Sequence, residues 1–305
     1  MTDALVDSKG VCTSAEQADR LRDDMWTVLC MGDVHLENYG VMEAADGSSI
    51  WGLNDFDEAA FAPFSWDVKR GATSVVVAAR EGGFSAEEAA RLARRFADGY
   101  AGALRESKRR RRARCPMFTS SRGPRSIRKV IGKVARTDAG AWLTDQASVD
   151  SAGMRFVCTD EVRPVDGRSA DFQRAIDDYG ARLTDAEGNS PSKTEVLDVA
   201  TKSGSGLGAT GLWRYWTLVN VRWPTRTAKV VLELKQERPS VVAPYAGAGP
   251  LTFRSEDAPV AFAENAQLPA ANPYYGHTTV DGQSHLVRRR GPHKAAVKLR
   301  KLKKY

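Results

Sequence analysis

The 305-residue chain is long enough for a sizeable core in one large or two smaller domains. Its four cysteines, Cys12, Cys30, Cys115 and Cys158, lie far apart with no C-x-x-C pair, which argues against a zinc ribbon and offers no disulfide framework. The net charge of +7 is unevenly spread: residues 105–136 hold thirteen Lys or Arg against one acid, residues 288–304 hold nine against none, and the remainder is acidic. A run such as Lys108 to Arg114 can grip nucleic-acid phosphates, steer an anionic substrate or form a solvated loop. No aromatic interleaving or base-reading pattern accompanies it, so the solvated loop is preferred and nucleic acid is a secondary expectation. No apolar run approaches the roughly 20 residues of a membrane helix. The N-terminus also lacks the basic-then-apolar order of a signal peptide, so a cytoplasmic protein without a membrane partner is expected.

In chain order, Ser14 with Gln17 has capping-box spacing and predicts a helix to about Trp26. The apolar residues Trp26 to Met31 predict a short strand entering a loop at Gly32, and Trp51 to Leu53 predicts another ending at the acids of Asn54 to Glu58. A helical pattern runs from Ser65 to Gly82-Gly83, and a capping box at Ser85 and Glu88 starts a second helix to about Leu104. Ser126 to Ala135 and Ala170 to Leu183 predict two more helices, with a polar loop from Thr184 to Lys193. Thr210 to Val221 and Ala228 to Gln236 predict two strands joined at Pro224, and Gln283 to Arg289 a further one. Residues 239–282 are weakly patterned. The expected class is α+β, with a helical lobe over residues 1–200 followed by a β-rich lobe over residues 201–305.

Two stretches carry chemistry. In "GDVHLENYG", Asp33 is followed five residues later by Asn38 on a loop after a strand, a spacing that can hold a hydroxyl nucleophile and a magnesium ion. Asp55 and Asp57 of "NDFDE" extend the hard-oxygen set that magnesium prefers. The plainer alternative is a pair of capped, solvated turns. The second stretch is "GSGLGATGLWRYWTLV" followed by "VVLELKQERPS". Glycines ahead of a strand let backbone amides approach phosphates. Lys235 directly follows the apolar-rich run Val230 to Leu234, where an unpaired ammonium would be out of place unless it faced a phosphate or turned outward at an edge. Together these stretches supply the parts of nucleotide-dependent phosphoryl transfer, but with the catalytic-type loop ahead of the glycines, the reverse of protein kinases.

With that order, the sequence resembles the bacterial family called domain of unknown function 2252. The resemblance rests on "GDVHLENYG", "NDFDE", "PFSWDVKR" (Pro63 to Arg70), "GLGATGLWRY" (Gly206 to Tyr215) and "LELKQERPS" (Leu232 to Ser240). The first three are also similar to the active-site strip of aminoglycoside and choline phosphotransferases. The resemblance implies a protein-kinase-like fold in circularly permuted order, using ATP or another nucleoside triphosphate with Mg2+. It implies Asp33 as catalytic base, Asn38 and Asp55 as metal ligands, and Asp67 as a buried acceptor bracing the catalytic loop. His35 and Asp57 would support the loops. Gly206, Gly208 and Gly211 would cover the phosphates that Lys235 binds. The acidic partner of Lys235 stays open among Glu237, Glu256 and Glu264. Family chains usually run further at both ends, so the resemblance also implies a truncated member.

Two other functions compete. An inactive or truncated nucleotide-binding relative would keep the same residues. A metallophosphoesterase-like hydrolase would use Asp33 and His35 with His277, His285 or His293 around two metals. The permuted arrangement carries a geometric requirement: Lys235 and Asp55 must face one cleft, and Asp67 must point beneath the loop from Gly32 to Asn38.

Overall fold

The structure, a computed structural model, describes residues 25–44, 46–109, 117–151, 153–185, 187–204, 211–246, 258–267, 272–292 and 295–296. The helix expected from Ser14 falls outside these residues up to position 24. The chain enters through strand β1 (Thr27–Cys30), where the apolar run predicts one. A single turn of 3-10 helix at Leu36–Asn38 leads into β2 (Tyr39–Glu43) and β3 (Ser49–Leu53), an antiparallel hairpin, and then β4 (Ala60–Pro63), which pairs back on β1.

Helices α1 (Ser65–Glu81) and α2 (Ala86–Arg109) follow as a packed pair. The first stops at Gly82 and Gly83, the latter in the left-handed region at φ +86, where a glycine is needed. The second starts on the expected capping box: Ser85 N donates to Glu88 Oε2 at 2.8 Å and Glu88 N donates to Ser85 Oγ at 3.2 Å. The two helices touch at Gly71, where a Cβ would run into the Phe96 ring. Helix α3 (Arg125–Val134) keeps its basic residues outward and seats Ile131 and Val134 on Val41.

Next come α4 (Ala139–Gln146), the hairpin β5 (Ala147–Asp150) and β6 (Gly153–Phe156), β7 (Val162–Pro164), α5 (Ser169–Gly180) and β8 (Lys193–Lys202). Strands β9 (Arg214–Arg222) and β10 (Thr227–Gln236) form the expected hairpin across Pro224. The weakly patterned region supplies a 3-10 turn at Ala243–Tyr245, helix α6 (Ala258–Gln267) and strand β11 (Gly276–Val280), ahead of β12 (Gln283–Arg290) and β13 (Ala295–Ala296). The last of these pairs with β2, so a three-stranded sheet β13-β2-β3 joins the two ends of the described chain.

The dominant element is a six-stranded antiparallel sheet in the order β11-β12-β10-β9-β8-β7. Both of its faces are covered. Phe172, Ile176 and Tyr179 of α5 pack on one face against Val219, Leu232, Leu234 and Val287. Each such full burial contributes about 1.5–3 kcal/mol. On the other face Trp216, Leu218 and Val231 meet the β5–β6 hairpin, while Leu286 joins Met31, Phe56 and the α6 residues Val260, Ala261 and Ala263. Residues 230–235 are therefore buried throughout, and the alternation inside the run is between two covered faces. Leu232 and Leu234 turn to α5, and Glu233 and Lys235 turn to the loops at the start of the chain.

The molecule is thus mixed α+β with antiparallel sheets and six helices among the described residues. The expected helical first lobe is corrected: β1 to β7 all precede residue 165, and β8, ending at Lys202, belongs to the six-stranded sheet. The expected boundary between residues 200 and 201 falls inside that strand. The first seven strands are only three to five residues long, too short for period-2 alternation to stand out from a loop.

Candidate active site

The loop from Met31 to Asn38 hangs on one face of α1. Asp67 accepts hydrogen bonds from Met31 N at 2.8 Å and Gly32 N at 2.9 Å. One turn on, Arg70 Nε donates to Asp33 Oδ1 at 2.6 Å, and one further turn along, Ser74 Oγ accepts from Leu36 N at 2.9 Å. Residues 67, 70 and 74 have the i, i+3, i+7 spacing of one helical face, so a single rigid element sets the loop's backbone. Asp67 thus lies beneath the loop, as expected, with its carboxylate on two backbone amides. Burial pushes its carboxyl up from the usual range, and the two amide hydrogen bonds oppose that rise. The neighbouring Cys30 thiol is pushed up to about 12, mainly by burial and then by Asp67, so it stays protonated at neutral pH.

Within the loop, Gly32 has φ +84, and a Cβ there would overlap the Glu58 carbonyl. The first glycine of "GDVHLENYG" therefore permits both the turn and the close approach of the "NDFDE" strip. Asn38 is buried; its Nδ2 donates to the Asp33 carbonyl at 2.9 Å, and its own carbonyl accepts from Asn54 N at 3.0 Å. With its nitrogen committed, the amide oxygen is the end able to ligate a cation. His35 shapes the loop: Nδ1 accepts from Glu37 N at 3.2 Å, and Nε2 lies 3.6 Å from Asp33 Oδ2.

Lys235 is 4% exposed and reaches from the sheet to the "NDFDE" strip. Its ammonium forms an ion pair with Asp57 and lies 3.5 Å from Glu237 Oε1. Burial lowers the lysine's proton affinity; Glu237 and Asp55 work against that, and Arg288 adds to it. The Glu237 carboxyl is raised to about 7, chiefly by burial, against the pull of Lys235 and Arg288. Asp55 lies near enough to Lys235, Glu237 and Arg288 to bear on the charge of all three. Of the three open partners, Glu237 is adjacent. Glu264 is hydrogen-bonded to Tyr275, and Glu256 lies outside the described residues. The closest acid, Asp57, was expected only to support its loop.

The two strips also grip each other through Glu58. Its carboxylate accepts from Val241 N at 2.7 Å, and its carbonyl accepts from Ser240 Oγ at 3.0 Å. The end of "LELKQERPS" is thereby tied to the end of "NDFDE", a role that nothing in either stretch announces. Gly211, at φ +81, stands just before β9, where a glycine is required; Gly206 and Gly208 lie outside the described residues. His277 and His285 lie on β11 and β12, and His293 lies outside the described residues. Among the described residues no three His, Cys, Asp or Glu side chains form a metal-binding group.

The amino-acid sequence matches over residues 12–305 the family described as an uncharacterised protein conserved in bacteria, domain of unknown function 2252. The chain belongs to that family. No curated protein and no solved structure matches it. No helix among the described residues is long and apolar enough to cross a membrane.

The site carries oxygen donors of the kind a hard cation takes. Asp57 Oδ1 is buried without a hydrogen-bond partner, a state that costs about 1–3 kcal/mol unless something binds there, and Glu237 Oε1 has the Lys235 ammonium at 3.5 Å. Asp55 adds a carboxylate near Lys235, and Asn38 carries an amide oxygen on the loop that hydrogen-bonds to Asn54. Carboxylate and amide oxygens are the ligands magnesium takes.

Proposed function

We propose that this protein is a magnesium- and nucleoside-triphosphate-dependent phosphotransferase with a kinase-like arrangement in permuted order. The observation that carries the proposal is Lys235. A lysine so deeply buried on a sheet strand is costly, yet it is aimed at the Asp57 carboxylate rather than at solvent, and Glu237 and Asp55 favour its charge. Asn38 and Asp55 would hold magnesium, which when bound would neutralise the charge of the transferring phosphate. Lys235 would then exchange its pairing with Asp57 for the nucleotide's phosphate oxygens. Gly206, Gly208 and Gly211 would lie over those phosphates. Asp33, held in place by Arg70 and the Asp67-anchored backbone, would accept the proton of the acceptor hydroxyl.

A second reading has its own support. Arg70 occupies one oxygen of Asp33 at 2.6 Å, which favours a nucleotide-binding relative that does not transfer phosphate. The two are separated by measuring Mg-ATP binding and loss of the γ-phosphate on the full chain. Binding with turnover supports the phosphotransferase, and binding without turnover supports the inactive relative. Absence of any Mg-ATP binding would remove both.

A further inference from the structure

On the face of the sheet that carries Lys235 lies a group of charges that the phosphotransferase scheme does not use. Glu233 is fully buried, and three arginines converge on it. Arg288 Nε donates to its Oε2 at 2.6 Å, Arg214 Nη1 reaches its Oε1 at 3.4 Å, and Arg290 Nε stands 3.6 Å from the same Oε1. Register explains the convergence. Arg288 is the cross-strand partner of Glu233, Arg290 is the partner of Val231 two residues along, and Arg214 is the partner of Lys235. Antiparallel partners share a face, and so do residues two apart, so all five side chains project to one side of the sheet.

A single carboxylate cannot satisfy three guanidiniums. A guanidinium has five N–H donors in a planar fork and keeps its proton. Glu233 takes a good hydrogen bond from Arg288 and only long contacts from the other two. Asp55 adds to the field at Arg288, where Glu233, Tyr275 and Asp55 together outweigh the burial that disfavours its charge. Arg290 is the least compensated. Burial lowers its proton affinity and Arg288 and Arg214 lower it further, against the pull of Glu233 and a smaller one from Tyr275. Its side chain is nevertheless 23% exposed, so the uncompensated charge is open to a ligand. Register sets the group beside Lys235, whose cross-strand partners are Arg214 on one side and Leu286 on the other.

We infer that Arg214, Arg288 and Arg290, oriented by Glu233, form an oxyanion-binding subsite on the cleft face of the sheet that takes a phosphate or diphosphate group. The planar fork of a guanidinium matches phosphate oxygens, and an anion there would add countercharge to that of Glu233. Glu233 holds Arg288 in register and limits the number of anionic groups that fit. The inference deepens the phosphotransferase reading by giving its substrate a charged handle, whether that handle is the nucleotide's own phosphates or a phosphate on the acceptor.

The test uses the full-length chain and inorganic pyrophosphate without metal or nucleotide, with sodium chloride at matched ionic strength as reference. Wild type should show a saturable rise in melting temperature with pyrophosphate beyond that reference. Arg290→Gln and Arg214→Gln should each weaken pyrophosphate binding about tenfold or more, with folding checked by circular dichroism. Arg222→Gln, at the exposed far end of β9, should bind as wild type does. Repeating the titration with Mg-ATP identifies the source. A parallel loss of Mg-ATP affinity in the arginine variants assigns the subsite to the nucleotide's phosphates, and unchanged Mg-ATP affinity assigns it to an anionic acceptor. Pyrophosphate binding by a wild type that ignores Mg-ATP would leave the subsite standing and remove the phosphotransferase reading. A wild type without a saturable pyrophosphate response, or folded Arg290→Gln and Arg214→Gln variants that bind pyrophosphate as wild type does, would overturn the inference.

Discussion

Glu237 gives the cleft a pH dependence whose sign follows from burial. Its carboxyl is raised from 4.5 to about 7, so between those values the folded protein holds a proton that the unfolded chain has released. The associated stability is fully present below pH 4.5 and is lost as pH rises through about 7. Glu237→Gln should therefore flatten the decline in stability across this window, measured as urea midpoints at pH 4.5, 6 and 7.5 against wild type. Asp67 offers a second test, because it satisfies two backbone amides that the loop cannot pair otherwise. Asp67→Asn keeps one acceptor oxygen but turns an NH2 towards the other amide, and should cost about 1–3 kcal/mol in urea unfolding. Asp33 and Asp55 stand out in the sequence by their spacing and acidic strip, Lys235 by the apolar run before it, and Asp67 only through the family resemblance. Arg70 and Ser74 are visible only once Asp67 defines the working face of its helix. Arg288 and Glu233 are invisible, because their partnership is a matter of strand register across 55 residues.

At the scale of elements, the contact between α1 and α2 is decided by the absence of one side chain. Gly71→Ala improves helix propensity by about 1 kcal/mol, yet its methyl group has no room against Phe96. Overpacking at such a site costs about 1–3 kcal/mol, so the variant should unfold at lower urea than wild type. Ser85→Ala removes one half of the reciprocal cap of α2 and should cost about 1 kcal/mol, read in the same way. Both helices, α3, α5 and the β9–β10 hairpin are legible in the sequence because each is long and periodic or bounded by a cap or a proline. The strands β2 and β4 to β8 are not. Most are too short, and β8 alternates between two half-buried faces instead of between core and water.

For the molecule as a whole, the folded chain should gain stability from Mg-ATP in proportion to occupancy, about 2.7 kcal/mol at a nucleotide concentration one hundred times Kd. Asp33→Asn should keep this shift while abolishing transfer. Asp55→Asn should reduce the shift as well, and Lys235→Met should weaken nucleotide binding. A melting curve that Mg-ATP does not move would count against the nucleotide site itself. These outcomes depend on segments far apart in sequence being held together: Ser240 and Val241 on Glu58, Leu286 against Met31 and Phe56, and β13 on β2.

The family, the long helices, the central hairpin and the residue types of the cleft can be read from the linear chain, because motifs, caps and periodicity are local properties. That Lys235 meets Asp57, that Asp67, Arg70 and Ser74 hold one loop, and that Glu233 gathers three arginines is fixed by packing alone. Those arrangements depend on which face of a strand or helix is turned inward and on which strands lie side by side. Such choices are settled by burying Phe172, Leu232 and Phe56 on the two sides of the sheet, an energy that belongs to the packed molecule and to no single segment.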